Sequence, residues 1–230
     1  MTILAIDTTN DALAVALYRE GLVIESYVSV NKNKHSTRLM PAIDYIMHDA
    51  DIKPADLTKI VVAKGPGSYT GVRIALSVAK TMAWTLNIPL AAVSSLKALA
   101  LNAIDHTYVC PFFDARRGLV FTGLYDQAGN LVKEEVNILF EDWLQSLKTF
   151  KAPITFVSPD IEHYRALIED TLGQAAQFLP KGHHVINPGL LATIGEKEEA
   201  VDPHQLVPNY LRLVEAEVKW LEKQVADTNE

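Results

Sequence analysis

The stretch that decides the fold is Ile60-Val61-Val62-Ala63-Lys64-Gly65-Pro66-Gly67-Ser68-Tyr69-Thr70-Gly71-Val72-Arg73. Its first four residues form a short apolar run rich in β-branched side chains, which suits a buried strand. Gly65, Pro66, Gly67 and Gly71 then punctuate the chain. A long helix is expected from there to about residue 86, stopped near Asn87-Ile88-Pro89.

Upstream, residues 3–30 read as a three-stranded meander. Ile3 to Asp7 is apolar, Leu13, Val15 and Leu17 alternate with small residues, and Asn10-Asp11 and Glu20-Gly21 supply the turns. A helix is expected over 36–50, with Ser36 as cap and Pro41 forcing a late start or a kink. Downstream come a strand at 90–93 and a helix capped by Ser94 or Ser95 and reaching about residue 103. The pattern then restarts, about 105 residues on: strands at 107–113, 119–125 and 131–137, helix 140–149, strand 154–157, helix 161–172. Residues 179–208 read as loop-rich, and a last helix is expected over 214–226. Strands followed by alternating helices make an α/β chain. The duplication predicts two similar lobes, 1–105 and 106–230, with a crevice between them.

The composition bounds the function. With 49% apolar and 21% charged residues, the chain of 230 is neither disordered nor fibrous. Against 28 Asp+Glu stand 21 Lys+Arg, a net charge of −7. That balance argues against unaided nucleic-acid binding, though not against a place in a complex whose other members hold the nucleic acid. The lone Cys110 implies no disulfide framework, and its apolar surroundings suggest a buried structural thiol. No apolar run approaches the roughly 18–20 residues of a membrane helix. The start lacks the basic region of a signal peptide, so a soluble cytoplasmic protein is expected, with no membrane contact.

Several chemistries fail on spacing. None of His35, His48, His106, His163, His183, His184 and His204 stands four residues from another, so no helical His pair exists and no metal site is expected. Ser68 sits in a glycine-rich turn, but a nucleophile elbow needs Gly where Pro66 and Thr70 stand. A phosphate loop starting at Gly65 or Gly67 needs its second Gly where Thr70 or Val72 stands. Helix N-termini attract anions, whereas Gly also serves tight turns and close packing; both readings of the loop stay open. Asp7, Thr8 and Thr9 place a carboxylate and two hydroxyls at a strand end. With Gly65, Gly67 and Ser68 they are the residues that would lie nearest a nucleotide, and a hairpin-capping role is the alternative.

The helix after the glycine loop carries Gly71, Ala75, Ala79 and Ala83 at i+4 spacing, a flat stripe that lets another backbone approach. The 36–50 helix carries Leu39, Ile43 and Ile46 on one stripe and Met40 and Met47 on another. Both helices either pack only on their own sheet or also present a surface to a second chain.

Ile3-Leu4-Ala5-Ile6-Asp7-Thr8-Thr9, His35-Ser36 with Leu39, Met40, Pro41 and Ile43, and the segment from Gly65 to Ile74 resemble the bacterial TsaB (YeaZ) family. Asp114-Ala115-Arg116-Arg117 and Pro208-Asn209-Tyr210-Leu211-Arg212 are similar to it too, so the likeness spans nearly the whole chain. It implies a two-lobed actin-like, sugar-kinase-like (ASKHA, ribonuclease-H-like) fold, each lobe a mixed sheet with helices. It implies a non-catalytic partner of the TsaD threonylcarbamoyltransferase, acting with the TsaE ATPase to make threonylcarbamoyladenosine next to the tRNA anticodon. Contact with tRNA would come only through the complex. The TsaD paralogue resembles this chain after the long helix and carries a metal-binding His pair there; Ser95 and Leu99 hold those positions here. The resemblance further implies that both helices form the partner interface, through Leu39, Met40, Ile43, Met47, Tyr69, Val72, Arg73, Ala75, Leu76 and Ala79, and that the isolated chain pairs with itself. Charge at Ala75 or Ala79 is then expected to break association without unfolding. A nucleotide at the partner interface is compatible with this picture. The competing readings are a small ASKHA nucleotide hydrolase or kinase and, from an older family label, a glycoprotease-like peptidase.

Overall fold

The computed structural model describes residues 1–31, 34–103 and 105–211; the helix expected over 214–226 lies outside them. The first half runs β1 (Thr2–Asp7), β2 (Leu13–Arg19), β3 (Leu22–Ser29), α1 (His35–Asp49), β4 (Lys59–Ala63), α2 (Tyr69–Leu86), β5 (Leu90–Val93) and α3 (Ser95–Ala100). The second half runs β6 (Tyr108–Asp114), β7 (Leu119–Asp126), β8 (Leu131–Leu139), α4 (Phe140–Leu147), β9 (Ile154–Val157), α5 (Ile161–Leu172), β10 (Ala176–Phe178) and α6 (Pro188–Lys197).

The two sheets repeat one topology. Their orders are β3-β2-β1-β4-β5 and β8-β7-β6-β9-β10. In each, the meander is antiparallel and the last two strands join in parallel. The duplication expected from the pattern is thus a duplication of fold.

Strand alternation sorts the core. Leu4, Ile6, Val15 and Leu17 face α1 and α2, which bury Leu39, Ile43, Ile46, Val72, Ala75 and Ala79 against them. In the second lobe, Phe112, Val120 and Leu124 meet Trp143, Leu144 and Ile168 of α4 and α5. Cys110 lies there, with the Trp143 indole donating to its sulfur at 3.3 Å, and burial pushes its thiol up to about 11. It is a structural thiol, as its apolar neighbours suggested.

The remaining faces of both sheets share one core. Ile3, Val61 and Val93 of the first lobe join Val109, Phe113 and Val157 of the second, with Leu96, Leu99 and Leu191 between them. The helices that close this seam are exchanged: α3 packs on β6 and β7, and α6 packs on β1, β2 and β4. At Gly195 of α6 a Cβ would lie 2.2 Å from Val61 Cγ1, so the helix sits directly on β4.

This corrects the division at residue 105. The chain leaves the second lobe after β10 and returns to the first, and α6 occupies part of the 179–208 stretch expected to be loop. Its start carries helix signals: Asn187 accepts from the Gly189 and Leu190 amides, and Pro188 opens the helix. Beyond α6, Val201 pairs antiparallel with Leu90 and Leu206 packs into the α1–α2 core. The strap then runs along α2: His204 meets the Trp84 ring edge-on, Lys80 Nζ donates to Leu206 O at 2.8 Å, and Arg73 Nε donates to Tyr210 Oη at 2.7 Å.

Helix α1 begins at His35 after an N-cap at Lys34 that lends no side-chain bond, so Ser36 is not the cap and the late start is not observed. Pro41 sits inside the helix on its exposed side, where its missing N–H costs no buried partner. Ser94, not Ser95, caps α3, accepting from the Leu96 and Lys97 amides.

Candidate functional site

The junction from β4 to α2 is built by close approach of backbones. A Cβ at Gly67 would lie 2.2 Å from Thr9 O, and one at Gly71 would lie 2.1 Å from Thr8 O. The glycines therefore admit the β1–β2 turn against the start of α2. Ser68 N donates to Thr9 O at 2.7 Å, Thr8 Oγ1 donates to Gly71 O at 2.7 Å, and Ser68 Oγ caps the helix on Gly71 N. Of the two open readings of this loop, packing accounts for the glycines.

The turn carries Asp7 into the interlobe cleft, a space of about 990 Å³ that Gly67, Ser68, Asp11, Asp114, Arg116 and His184 also line. Asp7 is buried, and its Oδ1 accepts from Thr9 N at 2.9 Å and Thr9 Oγ1 at 2.6 Å. Its Oδ2 has no hydrogen-bond partner among the described residues. Burial raises the carboxyl from 3.8 to about 6, against the lowering pull of the Thr9 bonds and His35. An orphaned carboxylate oxygen suits a cation or a donor group from a ligand. Of the six residues expected nearest a nucleotide, Asp7, Gly67 and Ser68 reach the cleft wall. Thr8 and Thr9 are buried in the turn, and Gly65 lies beneath Asn209, whose carbonyl a Cβ would meet at 3.0 Å.

Ser95 and Leu99 have structural work. Ser95 Oγ accepts from Gly65 N at 3.0 Å, and Leu99 is buried in the seam core. Among the described residues no three His, Cys, Asp or Glu side chains gather closely enough to hold a metal ion.

The expected interface residues divide sharply. Leu39, Ile43, Met47, Val72, Ala75, Leu76 and Ala79 are buried against the chain's own first sheet. The small-residue stripe is therefore core, because Gly and Ala let α2 lie close on the strands. This reverses the expected outcome at Ala75 and Ala79: charge there would enter the core and unfold the chain. Met40, Tyr69 and Arg73 do lie on the outward side. The outward face also holds two residues the periodicity did not single out, Tyr45 at 58% exposure and Trp84 at 66%. Trp84 follows Arg73, Ser77 and Thr81 along the polar side of α2, and an aromatic on a polar face was the available signal.

Two sheets of order 3-2-1-4-5 with helices exchanged across a cleft define an actin-like, sugar-kinase-like protein. A ROK hexokinase from Thermus thermophilus superposes with a TM-score of 0.50 over 86% of this chain and 99% of that one at 9% identity, a likeness of fold alone. YeaZ from Pseudomonas aeruginosa superposes with a TM-score of 0.77, covering 91% of this chain and 99% of that one at 28% identity. The family profile described as "TsaD: tRNA N6-adenosine threonylcarbamoyltransferase" matches residues 23–220. The tRNA threonylcarbamoyladenosine biosynthesis protein TsaB of Bacillus subtilis is 49% identical over 228 residues, 97% of this chain and 100% of that one. Its Escherichia coli namesake is 33% identical over 133 residues, 56% of this chain and 57% of that one. The chain belongs to this family, within its TsaB branch.

Proposed function

We propose that the chain is the non-catalytic docking partner of a TsaD-type threonylcarbamoyltransferase in the threonylcarbamoyladenosine modification of tRNA. It acts in the cytoplasm with a TsaE-type ATPase and meets tRNA only through the complex, in keeping with its net charge of −7. The observation that carries this reading is the outward face of α1 and α2, where Met40, Tyr45, Tyr69 and Trp84 are all more than about two-fifths exposed. An isolated copy would use the same face to pair with itself. The structural duties of Ser95 and Leu99 support the non-catalytic part, since neither side chain is available to a metal. The names of the TsaB relatives support the pathway.

Reconstitution tests it. Threonylcarbamoylation of tRNA is measured with TsaD, TsaE and the adenylate-forming enzyme, with and without this chain and with Trp84→Asp. Activity should depend on the chain and fall with the variant. Full activity without the chain would defeat the proposal.

One observation favours a second reading, a nucleotide-binding hydrolase or kinase: the orphaned Asp7 Oδ2 in a cleft of nucleotide size. Calorimetric binding of ATP with magnesium to the isolated chain, lost on Asp7→Ala, would support it. The glycines of the loop lend it no added support, since packing against Thr8 and Thr9 accounts for them.

A further inference from the structure

We propose that residues 208–211 couple the outward face of α2 to the seam between the lobes, with Asn209 clamping the seam and Tyr210 joined to the face. The proposal rests on the docking reading only for what occupies the face; the coupling belongs to the chain itself.

Asn209 is held from both lobes. Its backbone N donates to Lys64 O at 2.8 Å, just past β4, and its Nδ2 donates to Glu135 Oε2 at 3.3 Å on β8. Gly65, with φ +96°, provides the space beneath it. Glu135 is the other half of the clamp. Its Oε1 accepts from the Tyr125 and Ser94 hydroxyls. Ser94 is the N-cap of α3, the helix that the first lobe lends to the second. One carboxylate thus gathers a donor from its own lobe, a donor from the exchanged helix and a donor from the strap.

Tyr210, the next residue, belongs to the surface. Its ring stacks on Tyr69 at 5.7 Å between centroids, and its hydroxyl accepts from Arg73 Nε at 2.7 Å. The Arg73 guanidinium lies 3.8 Å from the centre of the Tyr69 ring. Tyr69 and Tyr210 are 46% and 37% exposed, within reach of a docking chain. Asn209 and Tyr210 are consecutive residues, so lifting the strap backbone off α2 moves the clamp with it, whereas a turn of the Tyr210 ring about χ1 alone does not. Docking on the face would bias the seam, and a change at the seam would alter docking by the same factor.

Hydrogen exchange on the isolated chain tests the coupling. Tyr210→Ala and Asn209→Ala should both speed exchange at the Leu96 and Lys97 amides, which bond to Ser94 Oγ, by about tenfold. Met40→Ala, on the same outward face but away from the strap, should leave them unchanged. If Tyr210→Ala leaves these amides as in the parent chain, the coupling is overturned; if Asn209→Ala does so too, the clamp is overturned as well. Should either truncation unfold the chain, Tyr210→Phe and Asn209→Asp replace them. Asn209→Asp sets a carboxylate against Glu135 and should loosen the same amides, while adding Glu135→Gln restores a donor and should reverse the effect. Failure of that rescue also overturns the clamp. A second arm adds the TsaD-type partner. Protection of α2 without protection at Leu96 and Lys97 counts against the coupling, whereas no protection of α2 counts against the docking reading alone.

Discussion

The same topological point occurs twice in this molecule, where β4 enters α2 and where β9 enters α5, and the two are built differently. In the first lobe, Gly67 and Gly71 bring helix backbone onto the carbonyls of Thr8 and Thr9. In the second, a side chain spans the gap: Asp160 Oδ2 accepts from Asp114 N at 2.9 Å, and Ser158 Oγ accepts from Asp160 N. The acids that end the matching strands differ accordingly. Asp7 is buried with one oxygen unpartnered among the described residues, whereas Asp114 is exposed and its Oδ1 accepts from Tyr164 Oη and Arg116 N. Equal topology has not meant equal chemistry. Helix α2, at 18 residues against 12 for α5, also offers the longer outer face.

The largest break in that comparison should come from Gly71→Val. A branched side chain there drives into the Thr8 carbonyl, and neither backbone can retreat without opening the β1–β2 turn. The variant is expected to lose about 3 kcal/mol or more, or to fail to fold. The matching third residue of α5 is the exposed His163, where His163→Ala should change stability by about 0.5 kcal/mol or less. Urea unfolding of both variants measures the contrast; similar losses would mean that the two junctions are not built differently.

Asp7→Asn sharpens the comparison through pH. The folded chain holds the Asp7 proton more firmly than the unfolded chain does, since burial raises its pKa from 3.8 to about 6. Native stability is therefore lost as pH rises across that window and stays lost above it. Asn keeps an acceptor for the Thr9 donors and never ionises. It should gain about 1–3 kcal/mol over the parent at pH 8, and the gain should vanish toward pH 4. At the exposed counterpart, Asp114→Asn exchanges a charged acceptor for a neutral one and should lose stability at pH 8. A parent chain whose unfolding midpoint is flat between pH 4 and pH 8 would contradict the buried state of Asp7.

Much of this frame was legible in the sequence. Periodicity and turn residues placed strand 154–157 and helix 161–172 to the residue, and the repeating order of elements announced the two lobes. What stayed hidden depends on partners distant along the chain. The stripe Gly71, Ala75, Ala79, Ala83 says that α2 has a close neighbour and cannot say which; the neighbour is its own sheet. Gly67 says that something approaches the backbone, and the approaching group is the Thr9 carbonyl. Helix α6 is hard to read from sequence because glycines interrupt it where it lies on the first sheet. Its Gly189 and Gly195, poor helix formers, are required by Val23 and Val61 from the opposite end of the chain.

The smallest effect on stability separates the two outer helices. The outer face of α5 is solvated by charge: Arg165 pairs with Glu162 at 3.8 Å and with Glu169 at 3.6 Å. The outer face of α2 instead leaves the Trp84 indole open to water, touched at its edge by His204. Trp84→Ser and Glu169→Ala should each shift stability by only about 0.5 kcal/mol, since neither creates a cavity or strands a buried polar group. Their effects on association should diverge. A large exposed aromatic is the residue type that dominates interface energetics, and Trp84→Ser should weaken binding of the TsaD-type partner, and self-pairing, by about tenfold or more. Glu169→Ala should leave both within about twofold, as an exposed charge in a surface ion pair contributes little. Equal weakening by the two variants, measured by sedimentation and by calorimetric titration, would remove the distinction between the two faces and with it the assignment of α2 as the docking helix.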